Sequence, residues 1–223
     1  MSDDAKTRER FGSPQAAALY AAAARGDLER ARQLMAQGAS INAANAREMT
    51  LLEIAMLDGD RRAFGHLLDL GADPGYLGAH RDTPMHFAAI LENPYWLQTL
   101  LQRGASTEVR NKLGETPLFS ALGPNTEANV RLLLEAGADV HARSHARETL
   151  LHQAADINSF ADVLRLLELG VDPRAQDDLG YTFQHSFFQT REDLLNDSAK
   201  AARAKVRAWL RARGIPVEDQ GAR

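Results

Sequence analysis

An all-α solenoid is what this 223-residue sequence predicts: one array of stacked helix–turn–helix units with hairpin loops between them. Three periodicities carry the prediction. Glycines recur at Gly38, Gly71, Gly104, Gly137 and Gly170, each 33 residues after the last. Thr50, Thr83, Thr116, Thr149 and Thr182 keep the same step. Ahead of each glycine stands an apolar pair: Leu34-Met35, Leu67-Leu68, Leu100-Leu101, Leu133-Leu134 and Leu166-Leu167. Small residues follow the threonines at Ala55, Ala88, Ala121 and Ala154. Registers held without a slip mark a repeat architecture. A unit this short cannot bury its apolar face alone, and stacking its neighbours makes one continuous core.

The unit is clearest from Asn111 to Ala142. Gly114 supplies a turn, and Thr116-Pro117 opens a short helix. Gly123-Pro124-Asn125 breaks it, and a second helix carries Val130, Leu133 and Leu134. Gly137 closes that helix, where a left-handed residue turns the chain back. The same register predicts six repeats, at about 13–43, 44–75, 76–109, 110–142, 143–175 and 176–217. They lie between a flexible N-terminal segment, 1–12, and a flexible tail, 218–223.

Taken in order, the first repeat has Ala17 where threonine stands elsewhere, and the polar face DLERARQ that a terminal unit needs. The second has Thr50-Leu51-Leu52-Glu53 where the third has Thr83-Pro84-Met85-His86. In the third, Asn93-Pro94 supplies an N-cap and first-turn proline for the second helix. The fifth is regular. The sixth takes 32 residues from Thr182 to Gly214 where the others take 21, so about 11 are inserted, near 191–198 (REDLLNDS). Its last helix, roughly 198–213, carries Arg207 and Arg211 where earlier units present apolar groups to the next layer. A final repeat turns a polar face to water.

Composition bounds the function. Hydrophobic residues are 44% and charged residues 25%, the balance of a folded chain. A net charge of -4 excludes a generally basic nucleic-acid binder. With no cysteine there is no disulfide and no thiolate ligand or nucleophile. MSDDAKTRERFGSPQ has no apolar run, so neither a signal peptide nor a membrane span is expected there. The expected compartment is the cytoplasm, or the periplasm if a leader has been removed. Heavy use of alanine and arginine in the helices hints at GC-rich bacterial coding.

The segments TPMHFAA (83–89), TPLFSAL (116–122) and TLLHQAA (149–155), with the endings QGAS, LGAD, RGAS, AGAD and LGVD, resemble ankyrin repeats. The resemblance runs from about 14 to 216. It implies a non-catalytic module that binds another protein. It also implies that His86, His152 and His185, at the fourth position of the box, bond locally with the turn. In such arrays the hairpin tips and first helices form a concave face on which partners bind. Carried over by register, that face begins with Arg47, Met49, Leu57, Asp58, His80 and Asp82. It continues through Ile90, Leu91, Lys112, Leu113, Glu115 and Pro124. It ends with His145, Glu148, Asp156, Ile157, Asp178, Leu179 and Tyr181. Leu57, Ile90, Leu91 and Ile157 matter most, because the core does not require them and aligned exposed apolar groups suggest an interface. Tyr76 and Tyr95 extend the site; Trp96 is expected in the helix layer.

No catalytic, cofactor-binding or metal-binding residue is expected. His141 and His145 are four apart in a hairpin, where that spacing does not place them on one face. No nucleophile elbow, phosphate-binding glycine loop or zinc-protease motif is present. Asp58, Asp82, Glu115, Glu148 and Asp156 read as a solvated stripe along the binding face, with acid–base catalysis ranked last. The basic run 199–213 is compatible with a membrane surface or phosphates, and better explained as a cap helix packing Val206, Trp209 and Leu210 inward under a solvated basic face. The first functional reading is an immunity protein that blocks a co-encoded secreted bacterial toxin. The alternative is a regulatory or host-directed adaptor. A monomer is expected in the free state.

Overall fold

The computed structural model describes residues 3–78 and 81–218. After a leading helix α1 (Asp3–Phe11), helices come in antiparallel pairs. The first two pairs are α2 (Pro14–Arg25) with α3 (Leu28–Ala36), and α4 (Leu51–Asp58) with α5 (Arg61–Asp69). Next come α6 (Pro84–Ile90) with α7 (Tyr95–Gln102), and α8 (Pro117–Ser120) with α9 (Glu127–Glu135). The last are α10 (Leu150–Asp156) with α11 (Phe160–Glu168), and α12 (Gln184–Phe187) with α13 (Asp197–Ala212). The described residues hold no strand, only isolated bridges Ala44–Thr50 and Arg143–Thr149 at the base of two hairpins. First helices stack on first helices (α4 on α6, α6 on α8, α10 on α12), and second on second (α7 on α9, α11 on α13).

Local chemistry starts and stops each helix. Thr50 caps α4 in a reciprocal box with Glu53, and Thr83 accepts from the His86 N–H at the start of α6. Asp27 and Asp60 accept from the third amides of α3 and α5. The apolar pairs divide their labour. Leu67, Leu100 and Leu133 are fully buried between layers, while Leu68, Leu101 and Leu134 are half-buried on the flank. Ala55, Ala88, Ala121 and Ala154 are fully buried, so first helices approach closely where no larger side chain intervenes.

Several expectations are corrected. The segment expected to be flexible forms α1 over 3–11: Phe11 packs on Tyr20 with ring centroids 5.1 Å apart, and Asn45 Nδ2 donates to the Arg10 carbonyl at 2.9 Å. At the other end the flexible tail was expected from 218, yet Glu218 accepts from Thr182 Oγ1 at 2.9 Å; 219–223 lie outside the described residues. In the third repeat Pro94, not Asn93, is the residue before α7; Asn93 Oδ1 accepts from the Tyr95 N–H at 3.1 Å instead.

The sixth repeat spends its extra length in two places. Part is a connection holding a 3-10 turn, Glu192–Leu194, and part lengthens α13, which has 16 residues where α11 has 9. Arg203, expected on a solvated face, is buried. Its guanidinium donates to the carbonyls of Thr190 at 2.7 Å and Phe187 at 2.6 Å. It also lies 5.6 to 5.9 Å from the rings of Phe188, Phe187 and Phe160. Planarity and weak hydration suit guanidinium to such a site. Val206 and Leu210 are buried as expected, and Trp209 is half-buried under Arg213.

Candidate protein-binding surface

The hairpins form a ladder of their own. The Lys112 N–H donates to the Arg81 carbonyl at 2.9 Å, that of His145 to Leu113 at 2.7 Å, and that of Asp178 to Ala146 at 3.0 Å. Three of the tips are each bracketed by one side chain. Asn111 Oδ1 accepts from the amides of Leu113 and Glu115, and Asp177 Oδ1 from those of Leu179 and Tyr181. Asn45 does the same for Arg47 and Met49. A short side-chain acceptor mimics a turn of backbone, which explains the residue type at this position.

Two box histidines each tie a hairpin to the helix before it. His86 Nε2 lies 2.9 Å from the Glu115 carbonyl, and His152 Nε2 3.0 Å from that of Tyr181. A carbonyl can only accept, so Nε2–H donates and Nδ1 accepts from the threonine hydroxyl, 2.8 Å away in both repeats. Burial, the largest influence, pushes the His86 pKa down, against the opposing pull of the Glu115 carbonyl. His185 does not repeat this arrangement. The box is displaced by one residue in the sixth repeat, where Gln184 takes the bridging role, donating to the Pro216 carbonyl and accepting from the Glu218 amide. His185 instead stacks on Tyr181 with centroids 4.0 Å apart.

Several expected surface residues are structural. Glu115 is only 5% exposed; its carboxylate accepts from Asn111 Nδ2 at 2.7 Å and from Arg81 at 3.2 Å. It joins neighbouring hairpins and is no part of a solvated stripe. Asp82 is half-buried and accepts from the same Asn111 amide at 2.7 Å. Glu148 is half-buried against Ser144. Met49 and Leu91 are half-buried against the core, which explains why apolar residues stand there. Trp96 is buried between Phe64 and Tyr95. Asp58 accepts from the Tyr20 hydroxyl at 2.9 Å and from Arg10 at 2.6 Å. The Tyr20 hydroxyl is pushed far up by burial first, then by that carboxylate. His80 lies outside the described residues.

What remains exposed is a mixture of apolar and charged side chains. Leu57, Ile90, Leu113, Ile157, Leu179 and Tyr181 face solvent, Leu57 at 60% and Leu179 at 79%. Arg47, Lys112, Pro124, His145, Asp156 and Asp178 are exposed beside them. Sequence reasoning missed Leu77 and Leu194, the latter 72% exposed in the 3-10 turn. Repeat register gives no burial for an inserted residue, so only an apolar side chain in a polar insertion signalled it. Among the described residues no three His, Asp or Glu side chains are grouped to hold a metal ion. None of the described helices is long and apolar enough to cross a membrane.

Comparison with known proteins agrees with this geometry. A family model described as ankyrin repeats (3 copies) matches residues 51–144 and again 85–177. Protein PhlB of Serratia liquefaciens is 39% identical over 106 residues, 47% of this chain and 46% of that protein. Inactive serine/threonine-protein kinase TEX14 of Bos taurus is 30% identical over 111 residues, 50% of this chain and 7% of that protein. Ankyrin repeat and SOCS box protein 16 of Mus musculus is 32% identical over 125 residues, 50% of this chain and 28% of that protein. The chain therefore spans less than half the length of these relatives. The fold is one of protein–protein interaction. The family matches run from α4 through α11, over more than half of the sequence, and the chain belongs to the ankyrin-repeat family.

Proposed function

We propose that this protein binds one partner protein along its concave face and acts without catalysis, as an immunity protein that neutralises a co-encoded secreted bacterial toxin. The row of exposed apolar side chains from Leu57 through Ile90, Leu113 and Ile157 to Leu179 carries the binding part of this reading. The core does not need them, and exposed apolar groups repeated along an array favour burial by a partner. Asp156 and Asp178 stand beside them, so a basic surface on the partner suits the far end of the face. A bacterial relative and the alanine- and arginine-rich helices support the bacterial setting.

The second reading is an adaptor that recruits its target without inhibiting it. An affinity pull-down from the native cell, wild type against a Leu57, Ile90, Ile157 and Leu179 to Ser variant, tests the face. One stoichiometric partner lost by a folded variant supports it; equal recovery by both overturns it. An assay of the recovered partner's toxicity with and without the protein then separates inhibitor from adaptor.

A further inference from the structure

We propose that α1 is an intramolecular occupant of the first part of the concave face, and that this part of the face takes a partner helix presenting a basic residue followed by an aromatic one. The inference deepens the concave-face reading and rests on it.

Helix α1 reaches the side chains expected at the start of the binding face. Arg10 donates to Asp58 at 2.6 Å, Glu9 lies 3.5 Å from Arg47, and the Arg10 carbonyl accepts from Asn45 of the hairpin tip. Phe11 covers the Tyr20 ring, whose hydroxyl donates to the same Asp58 carboxylate. Asp58 is thus a buttressed acceptor, aimed by Tyr20 and filled by a cation on a helix that belongs to no repeat. Gly12, at φ 80°, makes the joint possible, since a Cβ there meets the Ala44 carbonyl.

The occupant is weakly held. Its ion pairs are exposed: the Arg10 side chain is 56% accessible and that of Arg47 76%. Such pairs contribute little and are screened by salt. Phe11 is the single large apolar side chain of α1, and a helix of 9 residues has little stability of its own. Nor does α1 fill the site. A cleft of about 280 Å³ stays open beside it, floored by Met49, Ile54 and Leu57. A partner helix with the Arg10–Phe11 pattern and a further apolar side chain for that cleft reproduces the contacts to Asp58 and Tyr20 and adds one to the apolar floor.

The probe is a fluorescein-labelled peptide of residues 3–12, DDAKTRERFG, titrated by anisotropy into the full chain. Wild type is compared with Phe11→Ser, which loosens α1, and with Phe11→Ser/Asp58→Asn. Phe11→Ser is expected to bind at least about tenfold tighter than wild type, since apparent affinity scales with the fraction of open sites. Adding Asp58→Asn is expected to remove that gain. Equal binding by wild type and Phe11→Ser, saturable binding by neither, or indifference to Asp58→Asn overturns the proposal. Hydrogen exchange on the wild type needs no variant: α1 amides are expected to exchange at least about a hundredfold faster than those of α4, through local opening. Equal protection of α1 and α4 overturns it too. Because the probe is this chain's own segment, failure here leaves the concave-face reading intact, and the pull-down judges that reading separately.

Discussion

Thr116 Oγ1 is buried with no hydrogen-bond partner among the described residues, and Phe119 is the reason. Phe119 stands one repeat after His86 and one before His152, whose Nδ1 atoms hold the hydroxyls of Thr83 and Thr149. An apolar ring in that place leaves the hydroxyl desolvated. Thr116→Val is therefore expected to raise stability by about 1 kcal/mol, since a buried unsatisfied hydroxyl is removed at nearly constant shape. Thr83→Val and Thr149→Val are expected to lower it by about 1–2 kcal/mol. Urea midpoints of the three variants check the opposite signs.

His86 makes stability depend on pH. Its folded pKa lies below the ordinary value of 6.5, so protonation favours the unfolded chain. Its contribution is complete above the unfolded pKa and is lost as pH falls from there toward the folded pKa. The urea midpoint is expected to drop between pH 7.5 and 5.5, and a His86→Gln variant to show a smaller drop. An unchanged slope in the variant contradicts the assignment.

Arg147 adopts φ 61° at the hairpin position that Gly114 and Gly180 occupy in neighbouring repeats, at φ 74° and 82°. A side chain there costs about 1–2 kcal/mol in local strain, partly offset by the greater unfolded freedom of glycine. Arg147→Gly is expected to raise the thermal midpoint by a few degrees. Gly114→Ala is expected to lower it, because the added Cβ meets the His145 ring as well as the unfavourable φ.

Arg203→Ala is expected to cost about 3 kcal/mol, since it leaves the Phe187 and Thr190 carbonyls without their donor and empties a site among three aromatic rings. Arg203→Lys is not expected to restore it, because one ammonium cannot reproduce the two-pronged geometry. Calorimetry on both variants checks this, and full rescue by lysine contradicts it.

The helix pairs, their hairpins and the threonine boxes were legible because each depends on residues within about one repeat. Caps, αL closures and apolar pairs act over three to five positions, and a fixed period repeats them. The candidate face was legible only in part. Leu57, Ile90 and Ile157 are exposed as the register implied, but Glu115, Asp82 and Leu91 are drawn inward by the neighbouring repeat. Locally Glu115 differs from Glu148 in having Asn111 four residues before it where Ser144 stands; the second partner, Arg81, comes from the preceding repeat.

The ends of the array show where local information stops. The period alone pointed to one stacked array of repeats, because a periodic apolar pattern has one economical way to bury itself. It carried no information on α1, which lies outside the repeats, or on the inward turn of Arg203, which follows the insertion that breaks the register. Those depend on what lies within reach in space. Asp58 and Tyr20 await a cation and a ring at one end, and two carbonyls among three phenylalanines await a guanidinium at the other. Both partner sets come from residues distant in sequence or outside the register, so only the folded chain brings them together.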